Sequence, residues 1–427
     1  MISTLFLSLV LAGDSPLALD LSGWVSHALR NSPAVAEAEA SLEGSRASVK
    51  SAESFIWPTL AFSASSGYAW ASTPPDGRGH TGSESWSASL GLSQEILGSG
   101  GRNWLLLRAE RRGFEAAEED YRAAVLEIVM SVLESYYGVV EAEGLLAAAG
   151  QSLERSVSQL ERARTLYDIG GMTTLELLQL QVQESRDRLS LTRSRQNLNT
   201  SYNALYLAAG VSMSSRNITV DTAAVLAPIP PDFLDDLPQD LDENPSLRAA
   251  RLRSEQAFIT SRAQGRSAWP SLSANANWGF SDNHFDGFDQ VPENDTWSVG
   301  IRLNWTIFDG FAREAAAQSA RAGALRGEAS LTAVESGLQS RLLAARENVV
   351  IAYESFVLSE LALRQAEEQY RLSKLTYEMG GLSLLDLLDA QQTLTEAQAA
   401  LVSSRVNSLV EEAGLLVLMG RTPRLGE

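Results

Sequence analysis

TLYDIGGMTTLELL (residues 165–178) and LTYEMGGLSLLDLL (residues 375–388) are one pattern written twice, each a Gly-Gly turn between a long helical stretch and a returning one. Outward from these turns, the two halves of the chain align at a spacing of about 211 residues. Pro33 answers to Pro245, Trp57-Pro58 to Trp269-Pro270, Trp86 to Trp297, Arg102 to Arg313 and Gly210 to Gly420. Each half runs in the same order: entering helix, strand pair, very long helix, Gly-Gly turn, returning helix. The expected organisation is a secretory segment at 1–17, a first repeat at 18–210 with its tip near 170, a linker at 211–243, a second repeat at 244–421 with its tip near 380, and a tail at 422–427. The linker is acidic, carries Pro228, Pro230, Pro231 and Pro238, and is expected to have little regular structure of its own.

No proline falls between residues 76 and 227 or between 293 and 422, so nothing of that kind interrupts the helices beside the turns. Apolar residues at Tyr121, Val125, Ile128, Val132, Tyr136 and Val139, and at Leu338, Leu342, Ala345, Val349, Ala352 and Phe356, advance by threes and fours. This is the seam of a coiled coil. As one helix, residues 102–169 would reach roughly 100 Å. The returning helix, 172–209, is much shorter, and the entering helix, about 34–56, supplies the missing length if the two stack end to end.

Between the helices the period changes to two. Residues 59–70 and 85–97 place Leu60, Phe62, Tyr68 and Trp70, then Trp86, Leu90 and Leu92, against Ser, Gly and Ala. In the second half, residues 271–281 and 295–308 place Leu272, Trp278 and Phe280, then Trp297, Val299, Ile301, Leu303 and Trp305, against Ser, Asn, Gly and Arg302. Each strand has about the 9–11 residues that a tilted membrane strand needs, with aromatic residues near its ends. Polar loops are expected at 72–84 and 282–294. A half-buried soluble sheet would alternate in the same way; four matched strands with aromatic ends favour lipid. Four strands cannot close a barrel and an open edge is not tolerated in lipid, so several chains must share one. Two copies would give eight strands and a filled interior, three would give twelve and leave a pore, and three are favoured.

Composition narrows the function. A net charge of -19 argues against a nucleic-acid partner, and the absence of cysteine removes disulfides, thiol chemistry and Cys-ligated metal. The N-terminal MISTLFLSLVLAGDSP resembles a short secretory signal, without the usual basic residue at its start. No later segment offers the run of about 20 apolar residues of a transmembrane helix. The histidines, His27, His80 and His284, are scattered and read as solvent or packing residues. GSGGR at 98–102 matches DGFAR at 309–313 and marks a strand-to-helix turn, not a phosphate loop. No catalytic constellation, cofactor site or metal site is expected.

The twofold repeat of strand pair and long hairpin, the Y-x-x-G-G turns and the segment LLDLLDAQQTL at 384–394 together resemble the TolC-like outer-membrane efflux protein family, the outer membrane factors, over residues 18–421. The resemblance implies an α+β membrane protein that is no enzyme: a trimeric 12-stranded β-barrel continued by a 12-helix α-barrel of coiled-coil hairpins. It implies a passive conduit in the outer membrane of a Gram-negative-type bacterium, extending into the periplasm and coupled through a periplasmic adaptor to an inner-membrane transporter for efflux or type I secretion. It also implies that the tips, Gly170-Gly171-Met172-Thr173 and Gly380-Gly381-Leu382-Ser383, face the adaptor, that Asp386 and Asp389 narrow the pore, and that Glu176 and Tyr377 help to lock the closed state. Leu382 departs from the pattern, standing where the best-known members carry arginine, so the lock is expected to be weaker or differently built. Spacing alone leaves Asp386 and Asp389 open to another reading, two solvated carboxylates near a helix N-terminus. The competing reading of the whole chain is a coiled-coil periplasmic scaffold with no channel.

Overall fold

The computed structural model describes residues 17–73, 79–211, 218–221, 226–235, 237, 241–282 and 295–425. Apart from Leu17, the expected secretory segment lies outside them, as does His284. Among the described residues the α-helices and strands follow one another as β1 (Leu17–Leu19), α1 (Leu21–Asn31), α2 (Pro33–Glu53), β2 (Thr59–Thr73), β3 (Gly79–Leu97), α3 (Arg102–Asp168), α4 (Thr174–Ala208), β4 (Ile218–Val220), α5 (Pro245–Gly265), β5 (Ser271–Asp282), β6 (Asp295–Asn304), α6 (Ala312–Glu378) and α7 (Leu384–Leu418). The chain divides into two compact units, one made of residues 1–39, 120–245 and 335–427, the other of 40–119 and 246–334. α3 and α6 are each 67 residues long, and α4 and α7 each 35.

The second unit holds a four-stranded antiparallel sheet in the order β2-β3-β5-β6. Its register puts Phe62 beside Leu90, Leu90 beside Trp278 and Trp278 beside Trp297, so the large apolar residues share one face. On the edge strands that face is unburied: Trp297, Val299, Ile301 and Leu303 of β6 are 65–84% exposed, whereas Phe280 of β5 is buried. The other face carries Ser, Asn and Gly, with Ser63 bonded to Ser89 and Ser65 to Ser87, each at 2.8 Å. At the loop-side margin Asp295 Oδ2 accepts from the indole N–H groups of Trp278 and Trp297, both at 3.0 Å. At the helix-side margin the Trp305 indole donates to Ala268 O at 3.2 Å. From Trp297 to Leu303, β6 carries its exposed apolar residues over six steps, about 20 Å along the strand.

Three strand limits differ from the periodicity. β2 and β3 run on through Thr73↔Gly79, well into the expected loop at 72–84, because the ladder continues where apolar alternation stops. β6 ends at Asn304 and not at 308: its partner opens at Ser271 behind Pro270, which has no N–H to extend the ladder. β3 carries a register shift between Glu95 and Leu97.

The first unit is built on the helical seams. Val132, Tyr136 and Val139 of α3 are at most 1% exposed and pack with Trp24 of α1 and Leu205 of α4. On α6, Leu338, Leu342, Val349 and Ala352 are buried. α3 also contains an 18-residue window of mean hydropathy 1.5, a third of it buried, more apolar than the sequence reading allowed. The helix supplies Val129, Val132, Leu133 and Tyr136 to this core, which accounts for much of that apolar content.

The entering helix of the first half is two helices, α1 and α2, broken at Ser32, since Pro33 has no N–H with which to continue α1. The C-terminus of α4 abuts this break: a Cβ on Gly210 would lie 2.7 Å from Asn31 O, and His27 Nδ1 lies 3.2 Å from Ala209 O. At the equivalent junction Asn244 donates to Leu418 O at 2.7 Å, where α7 meets the start of α5. The described parts of the linker hold regular structure that its composition does not announce. β4 pairs in parallel with β1, and Pro231–Asp235 form a 3-10 turn. Tyr136 and Tyr206, buried on their rings, reach the carbonyls of Asp221 and Ile218 at 2.8 and 2.9 Å, as buried phenols require. The tail folds back too, with Arg424 gripping Glu412 through two bonds of 2.7 Å.

Candidate functional site

Both hairpin tips close by the same local chemistry. At the end of α3, Gly170 N donates to Tyr167 O at 3.0 Å and Gly171 N to Leu166 O at 2.8 Å; at the end of α6, Gly380 and Gly381 bond to Tyr377 and Thr376 at 2.9 Å each. This is the Schellman arrangement, and it places Gly170 and Gly380 at φ of +75° and +77°, where a side chain costs energy. The returning helices start on Thr173 and Ser383.

The third residue of each returning helix then distinguishes the tips. Glu176 reaches back, accepting from Thr173 N at 2.9 Å and from its hydroxyl at 2.7 Å, while Thr173 Oγ1 accepts from Glu176 N: a complete capping box. These bonds, backbone first, hold the Glu176 carboxyl below the usual carboxylate range. Asp386, one methylene shorter, accepts from the Ser383 hydroxyl at 2.6 Å, and Ser383 Oγ caps Asp386 N at 3.3 Å. Asp389 lies one turn further along the same exposed face, while Leu384, Leu387, Ala390 and Gln391 are buried on the opposite side.

The tips are brought together over a small apolar cluster of Leu160, Ala163, Leu180 and Leu384, with Met172 and Tyr377 packed against it. An open cleft of about 680 Å³ beside it is lined by Met172, Glu176, Tyr377, Leu382, Arg155 and Lys374, among others. Burial pushes the Tyr377 phenol up, and the charge of Glu176 adds to the effect. Glu176 and Tyr377 therefore share one cleft, whereas Asp386 and Asp389 face away from it.

Two arginines on α3 that sequence reasoning missed join this region. Arg155 lies 6.0 Å over the Tyr370 ring of α6 and donates to Thr395 Oγ1 of α7 at 3.2 Å. Arg162 stands 3.8 Å from Glu378, an exposed pair worth at most about 1 kcal/mol. Neither lies in the turn motif; only their position up to about four turns before the tip could have drawn notice.

A sheet apolar on its outer face, joined to paired helical hairpins in each of two repeats, defines the protomer of an outer-membrane duct. A profile of the outer membrane efflux protein family matches residues 24–211 and 237–421, one stretch for each repeat. The chain belongs to that family. The toluene efflux pump outer membrane protein TtgC of Pseudomonas putida is 24% identical over 345 residues, 78% of this chain and 69% of that one. Outer membrane protein TolC of Escherichia coli is 21% identical, with 97% of this chain and 85% of the relative covered. The CmeC outer membrane channel of Campylobacter jejuni has the same fold, with a TM-score of 0.82 at 20% identity over 94% of this chain and 85% of the other. CusC gives 0.81 at 17% identity over 97% and 96%.

Proposed function

We propose that three copies of this chain close into a conduit through the outer membrane, whose hairpin tips dock a periplasmic adaptor and, through it, an inner-membrane transporter. The observation that carries this reading is a pair of open edges. β2 and β6 each have one unpaired side, which lipid does not tolerate. Within the helical unit, α3 faces α7 through Gln151 and Gln398 and through Glu141 and Ser403, leaving apolar stripes unburied on the other helices. Leu175, Leu178, Val182 and Leu189 on α4 are 50–67% exposed, and Leu358, Leu361, Leu372 and Leu375 on α6 are 47–64% exposed. Both stripes have heptad spacing, so α4 of one copy suits α6 of the next. Such a head-to-tail contact closes into a ring.

Gly170 to Thr173 and Gly380 to Ser383 are the adaptor-facing turns, flanked by Ile169 and Met379 at 76% and 71% exposure. Asp386 and Asp389 of three copies form the acidic constriction. The closed state rests on Glu176 and Tyr377 in their shared cleft, and Arg155 and Arg162 supply the cationic contacts that Leu382 does not. Relatives named for toluene and antibiotic efflux suit a duct that leaves cargo choice to its pump. Detergent-extracted protein is expected to migrate as an SDS-resistant trimer and to conduct in planar bilayers. Release from membranes by carbonate would instead favour the scaffold reading.

A further inference from the structure

Above the level of Ser273, the polar face of the sheet is built of small uncharged residues in every described strand. One level departs from this. At the helix-side margin Glu95 stands opposite Ser273, and Ser273 opposite Arg302. These two are the only ionisable side chains on that face among the described strand residues. They are two strands apart, about 10 Å between backbones, and their surroundings differ. Glu95 is held back by Asn103 Nδ2 at 2.8 Å, at the first turn of α3. Arg302 is exposed on the edge strand β6, and the Ser and Gly residues around it offer no carboxylate.

A guanidinium on a strand whose opposite face meets lipid contributes nothing to the apolar band, and its neighbours do not need it for packing. We infer that Arg302 is the charge-selective element of the barrel lumen: three copies form a cationic collar at its helix-side mouth that draws in solutes bearing carboxylate or sulfonate groups. This rests on the trimeric-barrel reading. The collar is opposite in sign to the constriction assigned to Asp386 and Asp389. In a wide, water-filled lumen its reach is set by screening, about 30 Å at 0.01 M salt, about 8 Å at physiological strength and about 3 Å at 1 M. Selectivity due to Arg302 is therefore present in dilute salt and absent in concentrated salt.

The chain has no cysteine, so Arg302→Cys introduces a single addressable thiol. The measurement is the reversal potential of reconstituted trimers in a KCl gradient whose dilute side is about 10 mM, where screening is weakest. Arg302→Cys is expected to lower chloride permeability relative to potassium several-fold. A thiosulfonate carrying trimethylammonium should restore it, one carrying sulfonate should lower it further, and all differences should vanish in 1 M KCl. Arg302→Gln should reproduce the loss and carries the measurement if the cysteine variant does not assemble. Equal reversal potentials after complete modification by the two reagents would place Arg302 outside the conduction path and overturn the collar alone. A wild-type trimer that does not conduct would overturn the channel reading, and the collar with it.

Discussion

Glu176 and Asp386 hold the same position, the third residue of a returning helix, and differ by one methylene. The longer side chain closes the capping box and the shorter one stops at the Ser383 hydroxyl. Because the Glu176 carboxyl is held below its ordinary value, its contribution is present above the unfolded carboxylate pKa of about 4.3 and is lost as pH falls through the depressed folded value. The protection factors of the Glu176 and Leu177 amides, which bond to the Thr173 hydroxyl and carbonyl, are expected to hold from pH 7 to about 5 and to fall at lower pH once the intrinsic rate at each pH is divided out, a dependence that Glu176→Gln removes. Thr173→Ala should weaken the cap by about 1 kcal/mol at neutral pH, roughly a five-fold faster exchange of the same amides. Asp386 and Asp389 are exposed in the protomer and bury no structural contact, so Asp386→Asn with Asp389→Asn should leave folding intact. Potassium over chloride permeability of the double variant should fall; an unchanged ratio would return the pair to the role of solvated helix-end carboxylates.

At the scale of elements, stability of the helical unit depends on phenols buried within its core and at its margin. Desolvation pushes Tyr137 and Tyr202 up to about 12, and Tyr202 donates to Glu143 at 2.8 Å. Both folded values are raised, so the stabilisation is complete below the unfolded pKa of about 10 and is lost as pH rises through about 12. Circular dichroism should show helix loss beginning in that alkaline window, with tyrosinate absorbance appearing together with it. Tyr137→Phe should shift the onset upward. The strands obey a different rule. Their lengths follow backbone pairing, so Pro270 ends β6 while side chains beyond Asn304 still alternate, and β2 and β3 pair past the last apolar residue.

For the whole molecule, the open edges are the decisive feature. A charge placed on one helical edge should stop assembly without unfolding the chain, because the stripe is solvent-exposed until a second copy covers it. Leu178→Glu on α4 and Leu372→Glu on α6 are each expected to abolish the SDS-resistant trimer while helix content by circular dichroism is kept. A trimer that survives both changes would place the interface elsewhere.

How much of this was legible in the chain depends on whether the signal is local. Repeat, helices, strands and tips are written in periodicity and punctuation: threes and fours along α3 and α6, alternation around Trp278 and Trp297, Gly-Gly at 170 and 380. Hydrogen bonding within helices and between neighbouring strands makes those patterns, so the sequence alone determined the repeated element order and the need for partners. Contacts between distant residues leave no such mark. Only the tertiary structure decided that β4 of the apparent linker pairs with β1, that Arg155 covers Tyr370, that Glu176 and Tyr377 share a cleft, and that Glu95 and Arg302 fall on one level of the sheet. Each of these joins residues that the chain keeps far apart, and burial, register and helix packing select them after the local pattern has been satisfied.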